Sequence, residues 1–366
     1  MSSRRLEVLF TGYAPVHFLC FRPVFEYLAV VPDVRVAVSG GLRDKSGAEV
    51  TYDPRGLYGP LGLDASLVLT VDEIQDRHFD VLFAANTKMI APGSVDTRIQ
   101  IFHGVSFRNA AVRCENLGAD YYFMVGPYMR QRFAAAGLIA EDDPRGVNIG
   151  FPKTDRLLHD DGARLRVCRR YGFDPQRPLV LYAPTGQRHN SLELFGLEVI
   201  EALNATGRYN LLVKLHDHPK APSRDWVVAL SELERPGFRL ARELDVVPLL
   251  AAAELLITDA SSVSNEYSLV DRPIVFLDTP KLIAKASAKE GSMVDLETWG
   301  RRGGPVVEGP DEIARVVEQS FVAPGRYSAV RRQMAKSLFY NPGRATEAAV
   351  RFLRSGLPAA KRVGVG

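Results

Sequence analysis

With 366 residues, 46% of them hydrophobic and 24% charged, the sequence excludes a disordered chain and is long enough for two domains. Its formal net charge of +3 is too small for a dedicated nucleic-acid-binding protein but suits an anionic substrate. The three cysteines form no disulfide framework or zinc pattern, and no run of about 18 apolar residues predicts a membrane-spanning helix. We therefore expect a cytoplasmic protein. Peripheral contact with the inner face of the cell membrane stays open as an alternative.

The first half of the chain alternates short apolar runs with helix-like pieces, a pattern typical of parallel strands covered by helices. Pro127 and Gly137 bracket one predicted helix, because proline favours the first helical turn and glycine the position after the last. Strands are predicted at residues 8–10, 34–38, 67–69, 81–84, 99–102 and 121–125.

The second half repeats this alternation and ends in a predicted helix at residues 348–353. The best candidate for a hinge is the polar segment 157–170 together with the following Tyr-Gly-Phe-Asp-Pro stretch, residues 171–175. We therefore predict two Rossmann-like domains joined near residue 170, with ligands bound in the cleft between them. Strands of this half are predicted at residues 179–183, 211–215, 255–258 and 274–277.

One candidate site is His103-Gly104, at the end of a predicted strand in the first half. Histidine can exchange a proton near neutral pH, and loops at strand ends often carry function. A loop histidine that only hydrogen-bonds nearby backbone is an equal alternative.

A second candidate is the turn 150–155, Gly-Phe-Pro-Lys-Thr-Asp. Lys153 could face an anion, and Asp155 could cap the helix that follows. Taken alone, the segment is better explained as a plain turn with a helix cap.

Two further loops follow strands of the second half. The first contains Thr185 and Arg188, a hydroxyl and a guanidinium suited to phosphate or ribose. The second, residues 214–220, contains Lys214, His216 and His218, which suit a diphosphate better than a metal because no companion ligand cluster is evident. An ordinary strand-end loop remains an alternative for the second.

The most informative segment is residues 255–278, which predicts a strand, a hydroxyl-rich turn, a helix and a second strand. Its turn, Thr258 to Ser262, places hydroxyls and free backbone amides at a helix start, where an anion is favoured. Glu266, one turn further on, could accept hydrogen bonds from a ribose. Helix capping without a ligand explains the same residues.

In this order, the motifs resemble the CDP-glycerol glycerophosphotransferase family, the teichoic-acid primases and polymerases. The resemblance spans about residues 100 to 350. It rests on His103-Gly104, the Gly150 to Asp155 turn, Tyr182-Ala183-Pro184-Thr185, the Lys214 to Pro219 loop, Thr258 to Ser262, and Asp271-Arg272-Pro273.

The resemblance implies an α/β protein of GT-B fold, with two Rossmann-like domains facing a cleft and a C-terminal helix crossing back to the first. Residues 1–170 would form the acceptor domain, 171–340 the nucleotide-donor domain, and 341–366 the crossover helix and tail. The implied reaction transfers a polyol phosphate, most simply glycerol phosphate, from CDP-glycerol or a related CDP-polyol to an acceptor hydroxyl and releases CMP. It would serve cell-wall or capsule polymer synthesis.

The resemblance also implies roles for individual residues, with a lipid-linked, glycan or polyol-phosphate acceptor and with no metal, cofactor or nucleic acid. Of the two neighbouring histidines, adjacency to Pro219 favours His218 as the family's second-domain histidine, although His216 also fits. The expected site comprises His103 and His218 as catalytic residues, His216, Lys214, Thr258, Asp259, Ser261 and Ser262 at the donor phosphates, Thr185, Arg188 and Glu266 at the nucleotide and ribose, and Lys153 and Asp155 nearby.

Several positions depart from the family pattern around the donor site. Ala260 and Gly186 replace usual aromatic residues, and Glu266 stands where aspartate is frequent. These changes leave the identity of the polyol open. Two alternatives remain: another GT-B enzyme, either a nucleotide-sugar glycosyltransferase or a UDP-N-acetylglucosamine 2-epimerase-like protein, and a non-catalytic nucleotide-binding protein. The epimerase pattern has Asp-Ser-Gly-Gly and paired glutamates, whereas this chain has Ser261-Ser262 and one Glu266.

Overall fold

The computed structural model describes residues 5–45, 49–85, 89–102, 104, 109–217, 222–289 and 292–356. The chain divides into two compact units. Unit 1 comprises Met1–Val105, Ala111–Asp155 and Leu338–Gly366, and unit 2 comprises Ser106–Ala110 and Arg156–Ser337.

Unit 1 contains a six-stranded parallel sheet with the strand order β2-β1-β5-β6-β7-β8. Its centre is apolar on both faces, and the rings of Phe10 and Phe83 stack with their centroids 4.9 Å apart. In chain order its elements are β1 (Leu6–Gly12), α1 (Pro15–Ala29), β2 (Val34–Gly40), β3 (Leu42–Asp44), β4 (Thr51–Asp53), α2 (Pro54–Tyr58), β5 (His78–Ala84), β6 (Ser94–Ile101), β7 (Tyr121–Met124), α3 (Pro127–Ala135) and β8 (Gly146–Asn148).

Unit 2 contains a second six-stranded parallel sheet, in the order β11-β10-β9-β12-β13-β14. Its elements are α4 (Asp155–Leu158), α5 (Ala163–Tyr171), β9 (Leu179–Ala183), α6 (Ser191–Phe195), α7 (Glu198–Ala205), β10 (Asn210–Val213), α8 (Trp226–Ser231), β11 (Phe238–Leu240), α9 (Val247–Ala252), β12 (Leu255–Thr258), α10 (Val263–Tyr267), β13 (Ile274–Leu277), α11 (Pro280–Ser287), β14 (Val306–Val307), α12 (Pro310–Val322) and α13 (Ser328–Leu338).

The chain returns to unit 1 at Leu338 and forms α14 (Ala345–Arg351), followed by one π-helical turn, Phe352–Gly356. The chain passes from unit 1 to unit 2 between Asp155 and Arg156, before the predicted boundary at residue 170. The reason is that α5 packs its buried Val167 and Cys168 into the core beneath the sheet of unit 2. The segment predicted to be a hinge therefore forms helices of unit 2.

The prediction of parallel sheets covered by helices is confirmed in both units, but one predicted strand is wrong. Residues 67–69 form the end of a short 3-10 turn, Ala65–Leu67, and a single isolated bridge between Val68 and Val38. Several short strands at or near the sheet edges, such as β8, β11 and β14, escaped prediction because edge strands need few apolar residues. None of the helices in the described ranges combines the length and apolar character needed to cross a bilayer.

Candidate functional site

The carboxyl edge of the sheet in unit 2 collects three of the predicted loops. Because β9 pairs in parallel with both β10 and β12, Thr258 lies opposite Ala183, and Val213 lies opposite Tyr182. The loops that follow these strands therefore emerge at the same edge, where ligands bind in open α/β sheets.

Asp259 holds two of these loops together. Its side chain is 1% exposed, and its carboxylate accepts hydrogen bonds from the backbone amides of Thr185 and Ser191 and from the Ser191 hydroxyl, each at 2.9 Å. The Ala260 amide donates a fourth at 2.6 Å. Burial raises the pKa of Asp259, and these hydrogen bonds oppose the rise.

The hydroxyls of Tyr182 and Thr258 add further hydrogen bonds around Asp259. Because Ser191 donates to Asp259, the Tyr182 hydroxyl 2.8 Å away must donate to Ser191. The fully buried Thr258 hydroxyl donates to the Ala183 carbonyl at 2.7 Å. Thr258 and Asp259 were predicted to contact the donor phosphates. In the structure, both side chains hydrogen-bond groups of the protein and fix the loops. Their predicted role as phosphate-contacting side chains is therefore corrected to a structural one.

The serine pair and Glu266 lie at the start of α10. Both serines are partly exposed, and the Ser262 side chain makes no capping hydrogen bond to the helix. The Ser261 hydroxyl oxygen accepts from the Val263 amide at 3.5 Å, and both residues keep part of their surface open to a ligand. Glu266 is 3% exposed, so it is not a solvated residue of the helix surface. A buried carboxylate within the first turn suits a positioned hydrogen-bond acceptor.

Lys214 directly follows β10, and its side chain is 9% exposed. Its Nζ donates to the Leu215 carbonyl and to the Asp217 carboxylate, each at 2.6 Å. This ion pair fixes the loop that carries His216, whose side chain is exposed. The predicted phosphate contact by Lys214 would therefore compete with Asp217.

A cavity of about 490 Å³ opens between the loops after β9 and β10. Its walls are largely apolar, with the Trp226 indole as the largest side chain. Polar groups project from a few points on the wall. The lining residues include Thr185, Asn190, Glu193, His216, Arg224 and Trp226.

Gly186 allows His216 to occupy this wall. A Cβ atom at position 186 would lie 2.6 Å from His216 Cγ, closer than side-chain atoms can approach. The family usually has an aromatic residue at position 186. In this chain the His216 imidazole occupies the space that such a side chain would need. Arg188, also predicted in this loop, is exposed and does not line the cavity.

The two predicted catalytic residues, His103 and His218, lie outside the described residues. The predicted companions Lys153 and Asp155 lie in unit 1 and are both buried. The Asp155 carboxylate accepts hydrogen bonds from the Ala345 and Thr346 amides at 3.0 and 2.7 Å. Asp155 thereby caps α14, whose own N-cap residue, Arg344, makes no side-chain capping hydrogen bond.

Asp271-Arg272-Pro273 serves unit 2 as a structural motif. Asp271 has a φ of 50° and receives the buried Arg331 guanidinium at 2.9 Å. Arg272 donates to the Ala251 and Ala253 carbonyls at 2.7 and 2.6 Å. These contacts join the segment after α10 to α9 and α13, away from the strand ends.

Sequence reasoning missed three residues of the site, Ser191, Glu193 and Trp226. A signal existed for the first two, since Asn190 before Ser191 and Glu193 is a typical helix start, and Asn190 does accept from the Glu193 amide at 3.0 Å. Trp226 follows a capping Asp225 but gave no sign of reaching the strand ends.

One group of side chains within the described ranges could hold a metal ion: His78, Asp80 and Asp96. They lie where β5 and β6 begin, at the amino end of the sheet in unit 1. His78 and Asp96 are exposed, as such groups often are without a metal. This group is thus separate from the loops at the carboxyl ends of the strands.

Comparison with known proteins places these motifs in one context. The family model for CDP-glycerol:poly(glycerophosphate) glycerophosphotransferase matches residues 96–355. The match includes every predicted site residue of both units.

Two curated relatives are teichoic acid primases of Bacillus spizizenii. The glycerol-phosphate primase is 31% identical over 133 residues, which cover 36% of this chain and 33% of the relative. The ribitol-phosphate primase is 28% identical over 163 residues, which cover 43% of this chain and 40% of the relative. The alignments therefore span less than half of these relatives' lengths.

The wall teichoic acid polymerase TagF resembles the chain over most of its length. The TM-score is 0.66 at 18% identity, with 94% of this chain and 86% of that chain covered. A variant of TagF soaked with CDPG gives a TM-score of 0.63. This likeness shows the fold, which is GT-B as predicted.

Proposed function

Because the chain belongs to the CDP-glycerol:poly(glycerophosphate) glycerophosphotransferase family, we propose that it transfers a polyol phosphate from a CDP-activated donor to an acceptor hydroxyl. CMP is the second product, and the transfer contributes to a cell-wall or capsule polymer. Glycerol phosphate is the simplest choice of polyol phosphate. Ribitol phosphate is the other, since one relative is a ribitol-phosphate primase.

The family match carries this proposal, because it spans 96–355 and so includes both the strand-end loops and the segments that build them. The geometry of unit 2 supports it. The partly exposed Ser261 and Ser262 and the exposed His216 follow parallel strands, and the buried Glu266 lies in the short helix after the serines. This position suits an anionic nucleotide.

The proposed reaction is a phosphoryl-type transfer. The acceptor oxygen bonds to the phosphorus that carries the polyol, the bond from that phosphorus to CMP breaks, and the hydroxyl proton passes to a base. An alcohol is a weak nucleophile at neutral pH, so a positioned base contributes about 10²–10⁴-fold. We assign this role to His103, and charge stabilisation on the departing CMP to His218, Ser261 and Ser262.

The acceptor in this proposal is a polyol phosphate, a glycan or a lipid-linked carrier. A lipid-linked acceptor would bring the enzyme to the inner face of the cell membrane. The protein should co-sediment with vesicles that contain such an acceptor. It should stay in the supernatant with vesicles of the same lipids that lack the acceptor. Equal sedimentation with both would remove membrane-bound acceptors from the proposal.

The test is release of CMP from CDP-glycerol and CDP-ribitol by the purified protein with each class of acceptor. His103→Ala and His218→Ala should abolish release while thermal unfolding stays near that of the unchanged protein. Lack of CMP from every CDP-polyol, together with UDP release from a UDP-sugar, would favour a nucleotide-sugar enzyme. Full activity in both histidine variants would refute the catalytic assignment.

We also propose that transfer needs no metal. The charge of the donor would then be met by histidine, serine and backbone groups. Activity should survive dialysis against EDTA. A loss of CMP release that Mg²⁺ or Mn²⁺ restores would overturn this part of the proposal alone.

A further inference from the structure

We infer that the cavity beside Trp226 binds the cytidine end of the donor and that Glu193 selects cytosine over uracil. This inference rests on the proposed function, because it takes the donor to be a CDP-polyol. The cavity lies wholly in unit 2, between the loops after β9 and β10.

The size and composition of the cavity suit a nucleoside. About 490 Å³ with largely apolar walls and a few polar groups is typical of sites for small molecules that contain a ring. Its lining includes His216 and Thr185, both on loops that follow strand ends, where phosphate groups are expected. Thr185 lines the cavity, and a threonine hydroxyl can hydrogen-bond a ribose or phosphate oxygen.

Trp226 lines the cavity with an indole that its neighbours hold in one orientation. Its indole Nε1 donates to Glu193 at 2.5 Å, and the Arg224 guanidinium lies 5.2 Å from the ring centroid. With the residue 8% exposed, the ring cannot turn freely. An aromatic ring held in one orientation is a suitable stacking partner for a base.

Glu193 supplies the base-reading group. Its carboxylate accepts from Trp226 Nε1 and, at 3.0 Å, from the Ser223 amide, so its orientation is set by two neighbours. A carboxylate offers about four lone-pair sites, which leaves capacity for another donor. The exocyclic amino group of cytosine is such a donor, whereas the matching carbonyl of uracil would face the negative charge.

Fluorescence can isolate this contact because the chain has two tryptophans, Trp226 and Trp299. In Trp299→Phe, all indole emission comes from Trp226. Titration with CMP should quench it saturably, and UMP should need at least about tenfold higher concentration. Calorimetric binding of CMP without any change in emission, or equal affinity for CMP and UMP, would overturn the inference.

Two variants and one control complete the test. Glu193→Gln should reduce the preference for CMP over UMP by about tenfold, because an amide can donate to uracil. Pro222→Phe, at an exposed cavity wall, should weaken CMP binding and raise KM for CDP-glycerol by about tenfold, whereas Val322→Phe at the 80% exposed end of α12 should change neither.

The outcomes separate this inference from the proposed function. If the protein releases CMP from CDP-glycerol but Glu193→Gln and Pro222→Phe retain its KM and base preference, the cavity assignment fails and the function stands. If no CDP-polyol is turned over while CMP still quenches Trp226 more strongly than UMP, the function fails and the cavity assignment stands.

Discussion

The Asp259 carboxylate accepts hydrogen bonds from both the amide and the hydroxyl of Ser191, 68 residues earlier in the chain, each at 2.9 Å. With the Thr185 and Ala260 amides added, one buried side chain fixes the loop after β9, the start of α6 and the turn after β12. The candidate donor site is thus assembled around a group that a ligand does not need to touch.

Asp259→Asn should therefore destabilise the protein and reduce activity together. An asparagine has one acceptor oxygen, and its NH₂ group would face amides that also donate, leaving at least one buried N–H unpaired. We expect a loss of about 2–4 kcal/mol in the free energy of unfolding, measured with urea, and lower release of CMP.

Asp174→Asn is the matched control, because Asp174 is about half exposed in a turn of the same unit. Its free energy of unfolding should change by no more than about 0.5 kcal/mol. Equal stability of the two variants would show that the Asp259 network does not hold the loops.

Asp155→Ala should loosen α14. The amides of Ala345 and Thr346 would lose their acceptor, and loss of a helix cap costs about 0.5–2 kcal/mol. Hydrogen exchange should accelerate in residues 345–351, while exchange in β9 and β12 stays unchanged. Glu347→Gln, which alters an exposed residue of the same helix, should leave exchange of the first turn unchanged.

The positions of the site loops could be predicted from the sequence, but their tasks could not. Parallel strands bring their carboxyl ends to one edge, so the motifs after β9, β10 and β12 had to meet. Whether Asp259 faces ligand or interior depends on Ser191, and the Asp155 carboxylate accepts from Ala345, 190 residues later in the chain. Such pairings between distant residues leave no mark in local sequence patterns.

The fold shows the same division. Central strands such as β9 and β12 are buried along their whole length and were recognised by their apolar runs. The two-residue β14 was not recognised, because it is too short to form an apolar run. The boundary at Asp155–Arg156 was not recognised either, because α5 buries only three of its nine residues. Its few core contacts decide the unit to which it belongs.

Asp271→Asn should destabilise unit 2 without acting at the cavity. The Arg331 side chain is 2% exposed, and removal of the charge that pairs with it leaves a buried guanidinium, at a cost of about 3 kcal/mol. Arg332→Gln is the control, since Arg332 contacts the same carboxylate but is 65% exposed. Urea unfolding should separate the two variants, and CMP affinity should be unchanged in both.

Gly186→Ala tests whether His216 contacts the donor, without changing the histidine itself. The added Cβ would come within 2.6 Å of His216 Cγ, so the exposed imidazole must move. The backbone at Gly186 needs no left-handed φ, so alanine is compatible with the loop. We expect KM for CDP-glycerol to rise severalfold, with the free energy of unfolding changed by no more than about 0.5 kcal/mol.

His216→Ala and the double variant complete a cycle. If Gly186→Ala acts through the imidazole, it should raise KM no further once His216 is alanine, because residues in contact do not contribute additively. Gly325→Ala, where a Cβ meets no atom within 4 Å, should leave KM unchanged. A full additional effect of Gly186→Ala in the absence of the imidazole would instead place the donor against the loop at position 186, and His218 would become the histidine that contacts the donor.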